Sequence, residues 1–129
     1  MELKQLKTFE GACKIEKLDP KKVLPGLAGV PATDQKALIA IAKLMIIVRA
    51  ANRLVNEGKV WTPDWSNHQQ AKYYAWFEMR GSSGFRFGDC GLWVSNSGVG
   101  SRLALKTSEA ATYIGKKFEA LYRDFMVID

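Results

Sequence analysis

Trp61-Thr62-Pro63-Asp64-Trp65-Ser66-Asn67-His68-Gln69-Gln70-Ala71-Lys72-Tyr73-Tyr74-Ala75-Trp76-Phe77 opens the segment on which the fold turns. All four tryptophans (Trp61, Trp65, Trp76 and Trp93) fall between residues 61 and 105, with Tyr73, Tyr74, Phe77, Phe85 and Phe87. A chain that gathers its rings in one segment builds its core there, its contact surface, or both. Thr62-Pro63-Asp64 is turn chemistry, and Ser66 or Asn67 suits the cap of one short turn of helix. From Lys72 to Arg80 the residues alternate with the period of a strand. Tyr73, Ala75, Phe77 and Met79 share one side; Tyr74, Trp76, Glu78 and Arg80 share the other. Residues 81–84 read as a turn and 85–87 as the start of a second strand, broken over 88–91 by a bulge or second turn before Leu92-Trp93-Val94. Residues 96–100 read as another turn and 102–106 as a strand with Leu103 and Leu105 on one face. The expected sheet is an antiparallel meander of three to four strands.

Helical patterns flank this segment. Upstream, Thr33 is a good N-cap, Asp34 suits the positive end of the helix dipole, and Gly58 is a natural stop. The helix predicted over residues 34–57 carries apolar side chains on nearly every side, from Leu38 to Val48, and is expected to be central and buried. Arg49 and Arg53 share one face at its end, either as solvated cations favouring the helix C-terminus or as a phosphate-contacting pair. Earlier still, Thr8 caps a short helix predicted over 8–18, with Phe9, Ala12, Cys13 and Ile15 or Glu16 on its face. Asp19-Pro20 ends it, and three prolines and two glycines between Pro20 and Pro31 make a loop that Leu24, Leu27 and Val30 tack to the core. Downstream, Thr107 or Ser108 caps a last helix with Glu109 in its first turn. Ala111, Ile114, Phe118, Leu121 and Phe125 form one apolar stripe along it. Gly115 inside that helix costs about 1 kcal/mol against alanine, which points to a close approach of another backbone. Glu119 and Arg123 are spaced as an i, i+4 pair. The expected architecture is a single α+β domain over residues 1–129, a meander packed with a buried central helix and a C-terminal amphipathic helix.

The 129 residues suffice for a core without disulfide or metal staples. The formal charge of +6 is uneven: residues 1–60 carry 11 Lys or Arg against 6 Asp or Glu (net +5), and residues 61–129 carry 8 against 7 (net +1). Basic and aromatic residues therefore do not interleave in sequence, and only folding would bring them together. Cys13 and Cys90, 77 positions apart, match no metal or redox spacing and read as free thiols of a reducing compartment. The amino terminus lacks the apolar run of a secretory signal, and the longest apolar stretch is too short and too charged for a bilayer, so no membrane partner is expected.

Catalytic chemistry finds little support. His68 is the sole histidine, and no cysteine or histidine cluster completes a metal site with it and Asp64. Ser101 lies outside a nucleophile elbow, and nothing in the spacing pairs Cys90 with His68. Gly98-Val99-Gly100-Ser101-Arg102 resembles an anion-binding nest but lacks a P-loop lysine. No enzyme activity, cofactor or metal is expected. The better lead is the aromatic surface: Tyr74, Trp76 and Arg80 on one strand face, Arg86 across the hairpin, and Trp61 and Trp65 before it. Stacked bases, sugar rings or a partner's apolar patch would suit it, unless helices cover both faces of the sheet.

The strings Trp61-Thr-Pro-Asp-Trp65-Ser-Asn67 and Gln70-Ala-Lys72-Tyr73-Tyr74-Ala-Trp76-Phe77 resemble a family of small proteins from phages and prophages of gut bacteroidetes. So do Gly98-Val-Gly-Ser-Arg-Leu103, Lys106-Thr-Ser-Glu109, Tyr113-Ile-Gly115-Lys-Lys-Phe118, Leu121-Tyr122-Arg-Asp-Phe125 and the Phe9-Glu-Gly-Ala-Cys13 start. Members of that family read Ala-Leu-Asn-Glu-Gly-Trp before the Pro-Asp-Trp; the stretch from Asn52 to Lys59 is longer here. The resemblance implies a phage-encoded accessory or structural protein, in the host cytoplasm or the virion, and carries no catalytic residue across. Three functions compete. A nucleic-acid-binding module predicts affinity that falls with salt. A protein-interaction or assembly component, with a protein partner or as a homo-oligomer, predicts little salt dependence. A carbohydrate-contacting module would use the Trp and Tyr platforms.

Overall fold

A computed structural model describes residues 2–80, 84–93 and 102–128. Thr8 caps the first helix, α1 (Phe9–Ile15), as its sequence predicts: its hydroxyl accepts the Gly11 N–H at 2.9 Å. A loop leads to α2 (Ala32–Leu54), a hairpin of β1 (Lys72–Arg80) and β2 (Gly84–Trp93) follows, and α3 (Ser108–Lys117) and α4 (Glu119–Met126) close the chain. The mixed α+β class is as expected. Its details differ, or settle an open reading, in four places.

The first difference is the sheet, which has two antiparallel strands among the described residues and is not a meander of three or four. The predicted strand over 102–106 is a turn followed by a single bridge, in which Leu105 exchanges both backbone bonds with Tyr73 at 2.8 and 3.0 Å. The opposite edge of this segment is taken by Asn52 on α2. Its Nδ2–H donates to the Ala104 carbonyl at 3.0 Å, and its Oδ1 accepts the Lys106 N–H at 2.8 Å. The side-chain amide thus occupies the two peptide groups a further strand would use. Secondly, of the two readings of residues 88–91 the bulge is the one that forms, and β2 continues through it to Trp93 without a turn. The register slips between Trp76 and Phe77, which leaves Gly88 as the extra residue of a bulge. Most of the turn at 81–84, that at 96–100, the nest at 98–102 except Arg102, and Val94 lie outside the described residues.

Thirdly, α2 is not buried along its length. From Leu44 to Asn52 it is mostly buried, but Leu38 is 41% exposed and the first turns face solvent. A 23-residue helix extends roughly 35 Å, whereas α1 and α4, with 7 and 8 residues, flank it over only about a third of that. It starts at Ala32 and ends at Leu54, with Gly58 beyond it in a left-handed conformation and donating to the Arg53 carbonyl at 2.9 Å. Fourthly, the predicted last helix is two. Thr107 caps α3 by accepting the Ala110 N–H at 3.1 Å, and Phe118 leaves helical geometry between α3 and α4.

The core joins all these elements. Leu44, Ile47, Val48 and Ala51 of α2 meet Leu6, Phe9, Ala12 and Cys13 on one side and Ala111, Ile114 and Tyr122 on the other. Each fully buried Leu or Ile contributes about 1.5–3 kcal/mol. Tyr73, Ala75 and Phe77 turn toward this core as their alternation predicts. Phe77 stacks on Phe85 with centroids 4.6 Å apart and lies 4.6 Å from the Tyr122 ring. Gly115 is where α3 meets the sheet. A Cβ there would overlap the Phe87 ring and lie 2.9 Å from the Ala75 Cβ, so the expected close approach is real but is made by side chains. No described helix is long and apolar enough to cross a membrane.

Candidate functional site

The connection from residue 60 to 71 contains no helical turn and is held by side chains. Asp64 folds back on Ser66, its Oδ1 accepting the Ser66 N–H at 3.0 Å and the hydroxyl at 2.6 Å. Those bonds, with a smaller contribution from the Lys72 charge, hold the Asp64 carboxyl below the usual carboxylate range. Asn67 makes the equivalent turn onto the Gln69 N–H at 2.9 Å, and the Gln70 side chain accepts from the Asp64 N–H at 2.7 Å. At the centre is Lys72, the first residue of β1, with no exposed surface. Its ammonium donates to the carbonyls of Asp64 at 2.8 Å, Asn67 at 3.1 Å and Gln70 at 3.1 Å. It also sits 5.1 Å from the centre of the Trp65 ring, within cation–π range. One buried cation therefore shapes the loop and fixes the tryptophan.

The loop so shaped closes one side of a cavity of about 460 Å³. Trp61, Pro63 and Trp65 line it from the loop; Met45, Val48 and Arg49 line it from α2; Arg102 and Ala104 complete it. Its volume is within the usual range of ligand clefts, about 300–1,000 Å³. Both tryptophans are half-exposed, Arg49 and Arg102 are exposed, and neither arginine has an ion-pair partner among the described residues. Two indoles and two guanidinium groups without an ion-pair partner among the described residues thus line one cavity. That combination suits a ring-bearing anion, with the ring stacked on indole and the negative charge on the arginines.

The predicted site residues divide. Trp61 and Trp65 come together here. Tyr74 is half-buried and lines a neighbouring cavity of about 270 Å³ that shares Met45 and Arg102 with the first. Trp76 is 63% exposed on the outward strand face, with Gly88 of the bulge beside it, so helices do not cover both faces of the sheet. Arg80 and Arg86 occupy strand positions opposite Gly84 and Glu78, and their side chains lie outside the described residues, as does that of Cys90. The Arg49–Arg53 phosphate pair does not form. Arg53 is committed to Glu16 at 2.6 Å and to the Gly58 carbonyl at 3.2 Å, which leaves Arg49 to the cavity.

Arg49 and Arg102 as a pair escape sequence reasoning. They lie 53 positions apart, and what joins them is the Asn52 amide that draws residues 104–106 onto α2. His68 is exposed, and no group of three His, Cys, Asp or Glu side chains capable of holding a metal occurs among the described residues. Cys13 is fully buried, and burial, with Glu10 and Asp19 nearby, pushes its thiol pKa up and away from reactivity. No family model, curated protein or solved structure matches the chain.

Proposed function

We propose that this chain is a non-enzymatic binding module for single-stranded nucleic acid. A base stacks in the cavity of Trp61 and Trp65, and the flanking phosphates meet Arg49 and Arg102. The observation that carries this reading is the presence, around one 460 Å³ cavity, of two indoles and two arginines that have no ion-pair partner among the described residues. Stacking on an aromatic side chain contributes about 1–3 kcal/mol per base irrespective of sequence, and each phosphate–cation contact adds a salt-dependent increment. Trp76 offers a second stacking surface further along the strand. Such a module would serve in the host cytoplasm or on the virion, the settings that the phage resemblance implies.

Titration of tryptophan fluorescence with an oligothymidylate of about ten nucleotides tests the proposal, since one module of this kind covers about 4–16 nucleotides. Quenching should saturate, and log K should fall with log salt by roughly 0.7 per phosphate neutralised. Replacement of Arg102 by alanine should weaken binding and flatten that slope by roughly 0.7; replacement of Trp61 should weaken binding at all salt concentrations. Absence of saturable quenching at low salt refutes the reading. A mononucleotide that binds as tightly as the oligomer would confine the ligand to a single nucleotide.

An assembly role is a second reading, favoured by the exposed Trp76 and by the lack of a further strand against β2 among the described residues. It predicts a concentration-dependent oligomer in sedimentation that Trp76→Ala dissolves and salt leaves intact.

A further inference from the structure

The tryptophan cavity does not end at its own wall. Met45 and Arg102 line it and also line the neighbouring groove of about 270 Å³. On α2, Ile41, Met45 and Arg49 follow one another at steps of four residues, which sets them on one face of the helix about 6 Å apart along its axis. Arg49 lines the cavity, Ile41 the groove and Met45 both. The segment from Arg102 to Ala104 divides likewise: Ala104 belongs to the cavity, Leu103 to the groove and Arg102 to both. One cleft therefore runs along this face of α2, with Arg102 where its halves join. The groove half is mostly apolar and open to solvent: Tyr74 and Leu103 are half-buried, and Phe125 and Met126 are exposed. Such a surface takes the flat face of a ring whose polar edge stays in water.

Resting on the nucleic-acid reading above, we propose that the minimal ligand of this cleft is a dinucleotide: one base lies with Trp61 and Trp65, the phosphodiester meets Arg102, and the next base lies in the groove against Tyr74 and Leu103. The placement of charge argues for this order. Arg102 is exposed, has no ion-pair partner among the described residues, and is the one charged residue that both halves share. The groove is lined by no other charged residue, which suits the uncharged base, while the anionic link finds its counter-charge where the halves meet. No carboxylate among the described residues lines either half, so nothing in the cleft opposes a phosphate. A single nucleotide would leave the apolar groove uncovered.

The test uses the whole chain with methyl-labelled methionine, because Met126 lines only the groove and Trp61 and Trp65 only the cavity. The probes are a 5′-phosphorylated thymidine dinucleotide, the same molecule without its second base, and the same molecule with a neutral methylphosphonate link. The dinucleotide should quench tryptophan emission and shift the Met126 methyl resonance along one saturable isotherm. It should bind roughly fivefold or more tightly than the abasic probe, the worth of one stacked base. The abasic probe should quench without moving Met126. Neutralising the link should weaken binding to the native chain and make little difference in Arg102→Ala. Equal affinity of the dinucleotide and the abasic probe overturns the proposal, as does quenching with no Met126 shift, or a link effect that persists in Arg102→Ala. Should that variant fail to fold, the native chain's discrimination between the probes still decides. If a longer oligothymidylate quenches at low salt and the dinucleotide does not, this proposal falls alone; if neither does, the nucleic-acid reading falls with it.

Discussion

Replacing Lys72 by methionine isolates the contribution of one buried ammonium. Methionine keeps the unbranched apolar stem and removes only the charged head. Three charge-assisted hydrogen bonds at 2.8–3.1 Å then vanish, together with the cation held 5.1 Å from the Trp65 ring. Hydrogen bonds to a charged group contribute about 1.5–3 kcal/mol each, but the native state also bears the several kcal/mol of removing the ammonium from water. Two of the three carbonyls belong to Asp64 and Asn67, which are exposed, so water can partly replace what they lose. These opposing terms leave a net loss of roughly 2–3 kcal/mol. For a chain of this size that lowers Tm by about 6–15 °C. The assay is denaturant unfolding followed by tryptophan emission, with Lys36→Met as control. Lys36 makes an exposed ion pair with Asp124 at 3.4 Å, a class that contributes about 0–1 kcal/mol. Because the Lys72 ammonium bonds neutral carbonyls, its effect should hardly change with salt, whereas that of the control should fade. Lys72→Met should also weaken ligand binding at the tryptophan cavity, since Trp65 loses its fixed neighbour. A loss below about 0.5 kcal/mol would refute the claim that this ammonium organises residues 64–70.

Other substitutions probe the remaining contacts. Gly115→Ala gains about 1 kcal/mol of helix propensity but forces a methyl group into the Phe87 ring and Ala75; overpacking costs about 1–3 kcal/mol, so calorimetry should record a lower Tm, and a rise would refute the contact. Asn52→Ala strands the Ala104 carbonyl and the Lys106 N–H, and should cost about 2–3 kcal/mol in chemical denaturation while displacing Arg102 from the cavity. Ser66→Ala should move the Asp64 carboxyl up toward its ordinary value of about 3.9, read by carbon NMR titration. Because the folded pKa of Asp64 is depressed, the stability it confers is present above about pH 4 and lost as pH falls through the folded value, so this variant should lose less stability on acidification than the native chain.

The sequence is legible where one residue decides one local geometry. Thr8 and Thr107 cap helices because a hydroxyl one step before a helical run has few other uses, and both make the expected bond. The alternation from Lys72 to Arg80 sorts Tyr73, Ala75 and Phe77 to the core and leaves Trp76 outside, since the strand period fixes which residues share a face. It is illegible where a side chain acts over long range. By that same period Lys72 belongs to the outward face with Tyr74 and Trp76, and its full burial follows only from the carbonyls of residues 64, 67 and 70 closing around it. The break at Phe118 is hidden because the apolar stripe from Ala111 to Leu121 continues through it with helical spacing. The burial of α2 depends on the lengths of its neighbours, and composition alone overstates it.

Asn52 is the clearest instance, and it links the fold to the site. The backbone groups on each edge of an extended segment need a partner, and Leu105 finds one in Tyr73 while the opposite edge, Ala104 C=O and Lys106 N–H, finds the Asn52 amide. The Asn52 carboxamide turns one N–H and its oxygen to this edge, so it satisfies one carbonyl and one N–H there. That limit leaves no room for a further strand on this edge, and none pairs there among the described residues. It also sets where Arg102 stands, because the pinned residues 104–106 begin two positions later and leave that side chain beside α2, opposite Trp61 and Trp65. The same polar group that ends the sheet therefore assembles the cationic wall of the cavity. A helix residue that reads as an ordinary polar position in sequence is thus the joint between architecture and proposed function.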